Sequence, residues 1–121
     1  MRLVLDTNVI VSGVLTPMGP PGQLLDLVLA GEVSLVLVPQ IAVEYREVLL
    51  RPRFHLGVEQ VHRLVDTLED IAMHVAAAPW PIALEDPADE MFLAAARAGT
   101  AILVTGNIRD FPPAHRAGVI V

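Results

Sequence analysis

The chain has 121 residues, 54% of them hydrophobic, and its 14 acids outnumber eight bases to leave a net charge of -6. That length suits one domain with one core, and the charge makes the chain a poor generic binder of nucleic acid, because nonspecific affinity comes from neutralising phosphates with basic side chains. A mean hydropathy of +0.57 raises the question of a membrane span, but the longest uncharged segment, 7–25, holds three prolines and three glycines, where a spanning helix needs about 20 apolar residues without such breakers.

The first element is a short buried strand at 2–5, RLVL, followed by a helix from Thr7 to about residue 15. TPMGPPG at 16–22 breaks the chain, a helix follows at 22–30, and VSLVLV within 33–38 is too short and too β-branched to favour anything but a strand. Helices are expected at 40–50 and 58–72, separated by RPRF at 51–54, with a short strand at 74–77. After the proline-rich AAAPWPIALEDP (76–87), a helix at 88–98 leads to a strand at 101–104, and VIV at 119–121 reads as a last strand. Strands alternating with helices imply βαβ crossovers. The expected fold is therefore a three-layer α/β/α arrangement in a single domain, around a central, mostly parallel sheet of four to five strands whose apolar character reflects cover on both faces. Asp6 interrupts a signal-peptide reading of the N-terminus, and the absence of cysteine removes disulfides and thiolate metal sites. A soluble cytoplasmic protein is the expectation.

Asp6 ends the first apolar run, and in a parallel α/β sheet ligands bind outside the carboxyl ends of strands. As an isolated residue it reads equally well as the N-cap of the helix beginning at Thr7. Glu44 lies on an otherwise apolar helix face with Ile41 and Val48 at i-3 and i+4, so it points to the interior or a cleft. Asp89 opens the helix of ADEMFLAAARAG, with Glu90 as the flanking alternative. Thr105, Asn107 and Asp110 follow the strand AILV in TGNIRDF. Carboxylates gathered at one rim repel each other unless protons or divalent cations hold them. Oxygen-only ligands suit Mg²⁺ or Mn²⁺ rather than zinc.

LDTNVIVSG, the glutamate of AVEYREVLLRPRF, DPADEMFLAAARAG and ILVTGNIRDFP together resemble the PIN domain, particularly the VapC-like toxins of bacterial toxin–antitoxin pairs. The resemblance runs from Arg2 to Pro112. It implies a Mg²⁺- or Mn²⁺-dependent endoribonuclease, often a homodimer, inhibited by a small antitoxin protein. It places the metal-binding acids on Asp6, Glu44 and Asp89, with Asn8 as the polar residue beside the first acid. Many family members carry an acid where this chain has Asn107, which leaves the fourth position open between Asn107, with its neutral amide, and Asp110, one turn further on.

On this reading Asp6 and Asp89 are direct ligands, Glu44 is a ligand or a base acting through water, and Asn8, Thr105 and Asn107 hold ligands or waters in place. Bound metal also turns an acidic rim into one that accepts phosphate. Arg51 and Arg53 are candidates for the RNA backbone, since guanidinium pairs with phosphate in bidentate fashion, with Arg51 as a helix cap the competing reading. Arg109, nearer the rim, is the stronger candidate. The histidines are scattered without ligand spacing, Trp80 reads as a loop anchor, and the acids of VDTLED (65–70) read as a solvated helix face. Two rivals remain. A response-regulator receiver shares an acidic Mg²⁺ pocket but needs a lysine, and this chain has none; a PIN-like binding module that has lost catalysis is kept open by Asn107.

Overall fold

The computed structural model describes residues 1–121. In chain order the elements are β1 (Arg2–Leu5), α1 (Thr7–Leu15), α2 (Pro20–Leu29), β2 (Ser34–Leu37), α3 (Pro39–Leu49), α4 (Val58–Ile71), β3 (Met73–His74), α5 (Glu90–Gly99) and β4 (Ile102–Val104). Single 3-10 turns lie at Pro52–Phe54, Pro87–Asp89, Ile108–Asp110 and Pro113–His115. The expected elements at 2–5, 7–15 and 58–72 match closely. α2 and α3 start earlier than expected, at Pro20 and Pro39, because proline is well suited to the first helical turn, where its missing N–H has no partner to lose. α5 starts later because Pro87–Asp89 closes as a 3-10 turn first.

The four strands form one all-parallel sheet in the order β3-β2-β1-β4. The expected strand at 119–121 is absent. Ala117 and Gly118 have positive φ, the Val119 N–H closes a turn on the Arg116 carbonyl, and the segment reaches β4 through a single bond from the Leu103 N–H to the Ile120 carbonyl. Its amide is thus spent locally before a ladder can begin.

Strand order also fixes the layers. The crossovers β1→β2 and β2→β3 step in one direction and β3→β4 returns in the other. With right-handed connections, α1 to α4 therefore cover one face and α5 the opposite one, in the three-layer α/β/α arrangement. α5 packs across β1, β2 and β4, burying Phe92, Leu93, Ala95 and Ala96 against Leu3–Leu5 and Leu35–Leu37 in a continuous core of 27 residues. No helix is long and apolar enough to cross a membrane.

Gly99, the last residue of α5, sets how closely that helix lies on the sheet, since a Cβ built there would stand 2.7 Å and 3.0 Å from the two methyls of Val36. Val36 is fully buried and β-branched, so it has no free rotamer to yield into. Gly99→Ala is expected to destabilise the protein by about 1–2 kcal/mol in urea denaturation, the overpacking cost outweighing the roughly 1 kcal/mol that alanine gains in helix propensity; a neutral or stabilising result would mean that α5 can lift off β2 freely.

Candidate active site at the strand ends

The chain reverses its direction of travel across the sheet between β1 and β4, and such a switch point opens a crevice at the carboxyl ends of the strands. Asp6 stands directly in it. Its N–H donates to the Val104 carbonyl at 2.9 Å, extending the β1–β4 ladder by one residue, while its side chain is 6% exposed. One carboxylate oxygen accepts from the Thr7 N–H at 2.8 Å and the other from the Thr105 hydroxyl at 2.7 Å. Asp6 does occupy the N-cap position of α1, but half of its hydrogen bonding runs across the sheet to the end of β4, which no helix cap requires.

Thr105 in turn accepts from the Asn107 N–H at 3.0 Å, and the Asn8 side-chain carbonyl accepts from the Gly106 N–H at 3.1 Å. Residues 6–8 and 105–107 are thereby laced together. Gly106 sits close enough that a Cβ would lie 3.3 Å from the Asn8 oxygen, so a side chain there would press on the bond that holds the loop.

α3 brings Glu44 to the same crevice. Its carboxylate accepts a hydrogen bond from the Thr7 hydroxyl. The next residue, Tyr45, is fully buried and donates from its hydroxyl to the Leu5 carbonyl at 2.5 Å. Burial pushes the phenol above its ordinary range, helped by the charges of Asp6 and Glu44, so it stays a donor. On the far side of the helix Arg46 pairs with Asp66, at 2.6 Å, and with Glu69 of α4. The acids of VDTLED thus hold Arg46 rather than merely facing solvent. Tyr45 on one side and Arg46 on the other fix the rotation of α3 that turns Glu44 inward.

The result is an open cleft of about 360 Å³ whose wall includes Asp6, Glu44, Asp86, Asp89 and Asp110 together with Arg51 and Arg53. Glu90, the flanking alternative to Asp89, turns away and accepts from the Leu84 N–H. Asp110 lines the cleft, whereas Asn107 and Arg109 are exposed outside its wall. That reverses the order in which the sequence ranked Arg109 against Arg51 and Arg53. The Arg53 guanidinium also lies 4.8 Å over the Phe54 ring. Three residues of the site escaped the sequence reading, two on the wall and one buried behind it. Thr7 reads as an ordinary helix residue, Tyr45 as part of an apolar face, and Asp86 as a turn residue before proline, which it is, since it caps the Ala88 N–H at 3.0 Å. Trp80 does anchor its loop, donating to the His115 carbonyl at 3.1 Å.

Five acids facing two arginines leave the cleft short of positive charge. Burial raises the Asp6 pKa, against the hydrogen bonds from Thr105 and Thr7 that favour its charged form. Burial likewise raises Glu44, with the Thr7 bond and Arg51 opposing and Asp6 and Asp86 adding to the rise. Asp89 has no hydrogen bond to offset its burial, and with Asp6, Asp86, Asp110 and Glu44 all repelling its charge it is pushed up to about 7. No three of the acidic or histidine side chains converge as ready ligands of one ion in this conformation. The donor set nonetheless fits a hard divalent cation, because it is all oxygen, crowded and under-neutralised.

Fold and cleft together define a parallel α/β protein with an acid-lined, oxygen-only site at its switch point. The chain belongs to the PIN domain family, whose profile matches residues 2–109. It is similar to Uncharacterized protein MJ1680 of Methanocaldococcus jannaschii, 26% identical over 110 residues that span 88% of this chain and 71% of that protein. No solved structure matches it significantly. PIN domains are generally nucleases and usually use divalent metal ions.

The raised carboxylates make stability depend on pH. An acid with a higher pKa in the folded state binds more protons there, so stability falls as pH rises from its unfolded value toward its folded one. For Asp89 that window runs from 3.8 to about 7. In EDTA, the melting temperature is expected to decline across this range, and Asp89→Asn is expected to flatten the decline and melt higher than the parent at pH 8. A variant that melts lower at pH 8 would mean that Asp89 is a structural cap and not a strained acid.

Proposed function

We propose that the protein is a Mg²⁺- or Mn²⁺-dependent endoribonuclease acting as the toxin of a toxin–antitoxin pair, restrained by a small antitoxin protein and working as a homodimer. The observation that carries the nuclease reading is the cleft itself, with five carboxylates from four separate chain segments at the switch point of a PIN fold, three of them with pKa values raised by burial. The toxin, antitoxin and dimer assignments rest on the likeness of LDTNVIVSG, AVEYREVLLRPRF, DPADEMFLAAARAG and ILVTGNIRDFP to VapC-like proteins.

In this reading Asp6, Glu44 and Asp89 would hold the cation, and Asp110, also on the cleft wall, would complete the set. When bound, the cation neutralises the acids and the scissile phosphate and makes a water acidic enough to attack. Thr105 keeps Asp6 oriented, and Asn8 fixes the 105–107 loop through Gly106. Glu44 has a second carboxylate oxygen with which to align the attacking water and receive its proton. Arg51 and Arg53, on the cleft wall, grip the phosphates to either side of the scissile one, a task suited to the planar guanidinium. Hydrolysis adds the water oxygen to phosphorus, breaks one P–O bond and leaves a proton on the departing hydroxyl.

Asp6→Asn is expected to abolish Mn²⁺-dependent cleavage of a short single-stranded RNA while the variant remains folded. Mn²⁺ at millimolar concentration is expected to raise the melting temperature of the parent, because ligand that binds only the folded state stabilises it by mass action. RNA binding without cleavage at any metal concentration would instead favour a PIN-like binding module that has lost catalysis.

Asp110 lines the cleft and Asn107 does not, which favours Asp110 for the fourth position. Asp110→Asn is expected to raise the Mn²⁺ concentration needed for half-maximal cleavage several-fold, since a carboxylate attracts a divalent ion far more than an amide does. Asn107→Asp is expected to leave it unchanged. The opposite pair of results in a metal titration would place the fourth ligand at 107.

A further inference from the structure

Within the cleft, Thr7 bonds two of the proposed ligands at once, through its backbone N–H to Asp6 and through its hydroxyl to Glu44. The two acids it joins differ in how firmly they are held. Asp6 is set at the end of β1 by the Val104 carbonyl, the Thr105 hydroxyl and the Thr7 N–H. Glu44 arrives from α3 on a long side chain that is only half-buried, and the sole ion pairs of the chain are those of Arg46, so Arg51 does not pin it by direct contact. Freezing such a side chain at the moment a ligand binds costs rotamer entropy.

We propose that Thr7 is a positioning residue that fixes Glu44 relative to Asp6, so that the two acids meet the cation as one preset pair. This inference rests on the proposed reading of the cleft as a metal-dependent nuclease site. Thr7 is itself 6% exposed, next to the fixed strand end, and β-branched, which restricts its χ1. Its hydroxyl has one proton to give, and Glu44 receives it. The fold does not need this bond, because Tyr45 already ties α3 to β1 through the Leu5 carbonyl and Arg46 ties α3 to α4. The hydroxyl therefore serves the placement of Glu44 and not the docking of the helix. It also leaves the second oxygen of Glu44 free of Thr7, available to the cleft.

The test is calorimetric titration with Mn²⁺ alone, without RNA, on folded variants. Thr7→Val keeps shape and removes the donor; it is expected to bind Mn²⁺ about tenfold more weakly, the scale of one hydrogen bond to a charged group, with the melting temperature in EDTA little changed. Thr7→Ser restores the hydroxyl and is expected to recover most of the affinity. In RNA cleavage at fixed Mn²⁺, Thr7→Val is expected to lower kcat with KM nearly unchanged, since the arginines that grip phosphate are untouched. Thr7→Val combined with Glu44→Gln is expected to bind no more weakly than Glu44→Gln alone, because Thr7 acts through Glu44. Thr7→Ala is read in the same way if valine does not fold. Parental Mn²⁺ affinity in Thr7→Val, or additive losses in the double variant, overturns the role of Thr7 while leaving the site intact. Absence of Mn²⁺ binding by the parent overturns the reading of the cleft and the inference with it.

Discussion

A strand that leaves its neighbour before it ends exposes backbone groups that something else must pair, and in this protein β1 leaves β2 after Leu3. β1 pairs with β2 at Arg2 and Leu3, while its pairing with β4 continues to Leu5 and on to the Asp6 N–H. The Leu5 carbonyl, directed away from β4, is left without a strand partner and is met by the Tyr45 hydroxyl instead. A buried carbonyl without a donor is costly, so the divergence of the strands demands a donor from α3. Once Tyr45 supplies it, Glu44 is carried to the crevice one residue earlier on the same helix. The backbone requirement and the placement of the acid are thus one arrangement, with Arg46 holding the helix from behind.

The electrostatics of the cleft follow from what this arrangement buries. Hydrogen bonds from Thr105 and Thr7 favour the charged form of Asp6 but do not overcome its burial, and Asp89 has no such donor at all. Local compensation is strongest for the acid nearest the strand ends and weakest for Asp89, at the start of α5. The chain has no lysine, and the two arginines on the wall sit at the end of α3 and in the turn after it, beside Glu44. Positive charge from the protein thus comes from one short stretch of the wall, and the charge of Asp86, Asp89 and Asp110 is left to whatever cation occupies the cleft.

Much of this was legible in the residues alone, for definite reasons. LVL at 3–5 and LVLV at 35–38 are short, β-branched and apolar, which suits strands covered on both faces. The same composition at 119–121 misled, because a positive-φ turn at Ala117 and Gly118 lies just upstream, and turn chemistry of that kind at alanine is not written in its side chain. Glu44 stood out as a charge on an apolar face. Thr7 did not, since its partner is 37 residues away and local grammar assigns a residue after Asp6 to a helix turn. Asp86 was hidden by a sound local explanation, the capping of Ala88, which is correct and incomplete. Asn107 and Asp110 were inseparable by spacing, because which of the residues before and at the end of one short 3-10 turn lines the cleft depends on a loop anchored by Asn8 and Thr105.

The bond between Thr105 and Asp6 closes a loop of 99 residues, and β4 pairs with β1 over a similar span. Contacts this distant in the chain form late in folding, since the entropy of closing the intervening loop is lost before they give anything back. During synthesis β1 leaves the ribosome early and must wait for β4 before Asp6 gains its Thr105 donor. A partly made chain has the first acid but no crevice to hold it. The cleft comes into being only when β4 docks beside β1, so a growing chain carries no finished site until the residues up to Asp110 have left the ribosome.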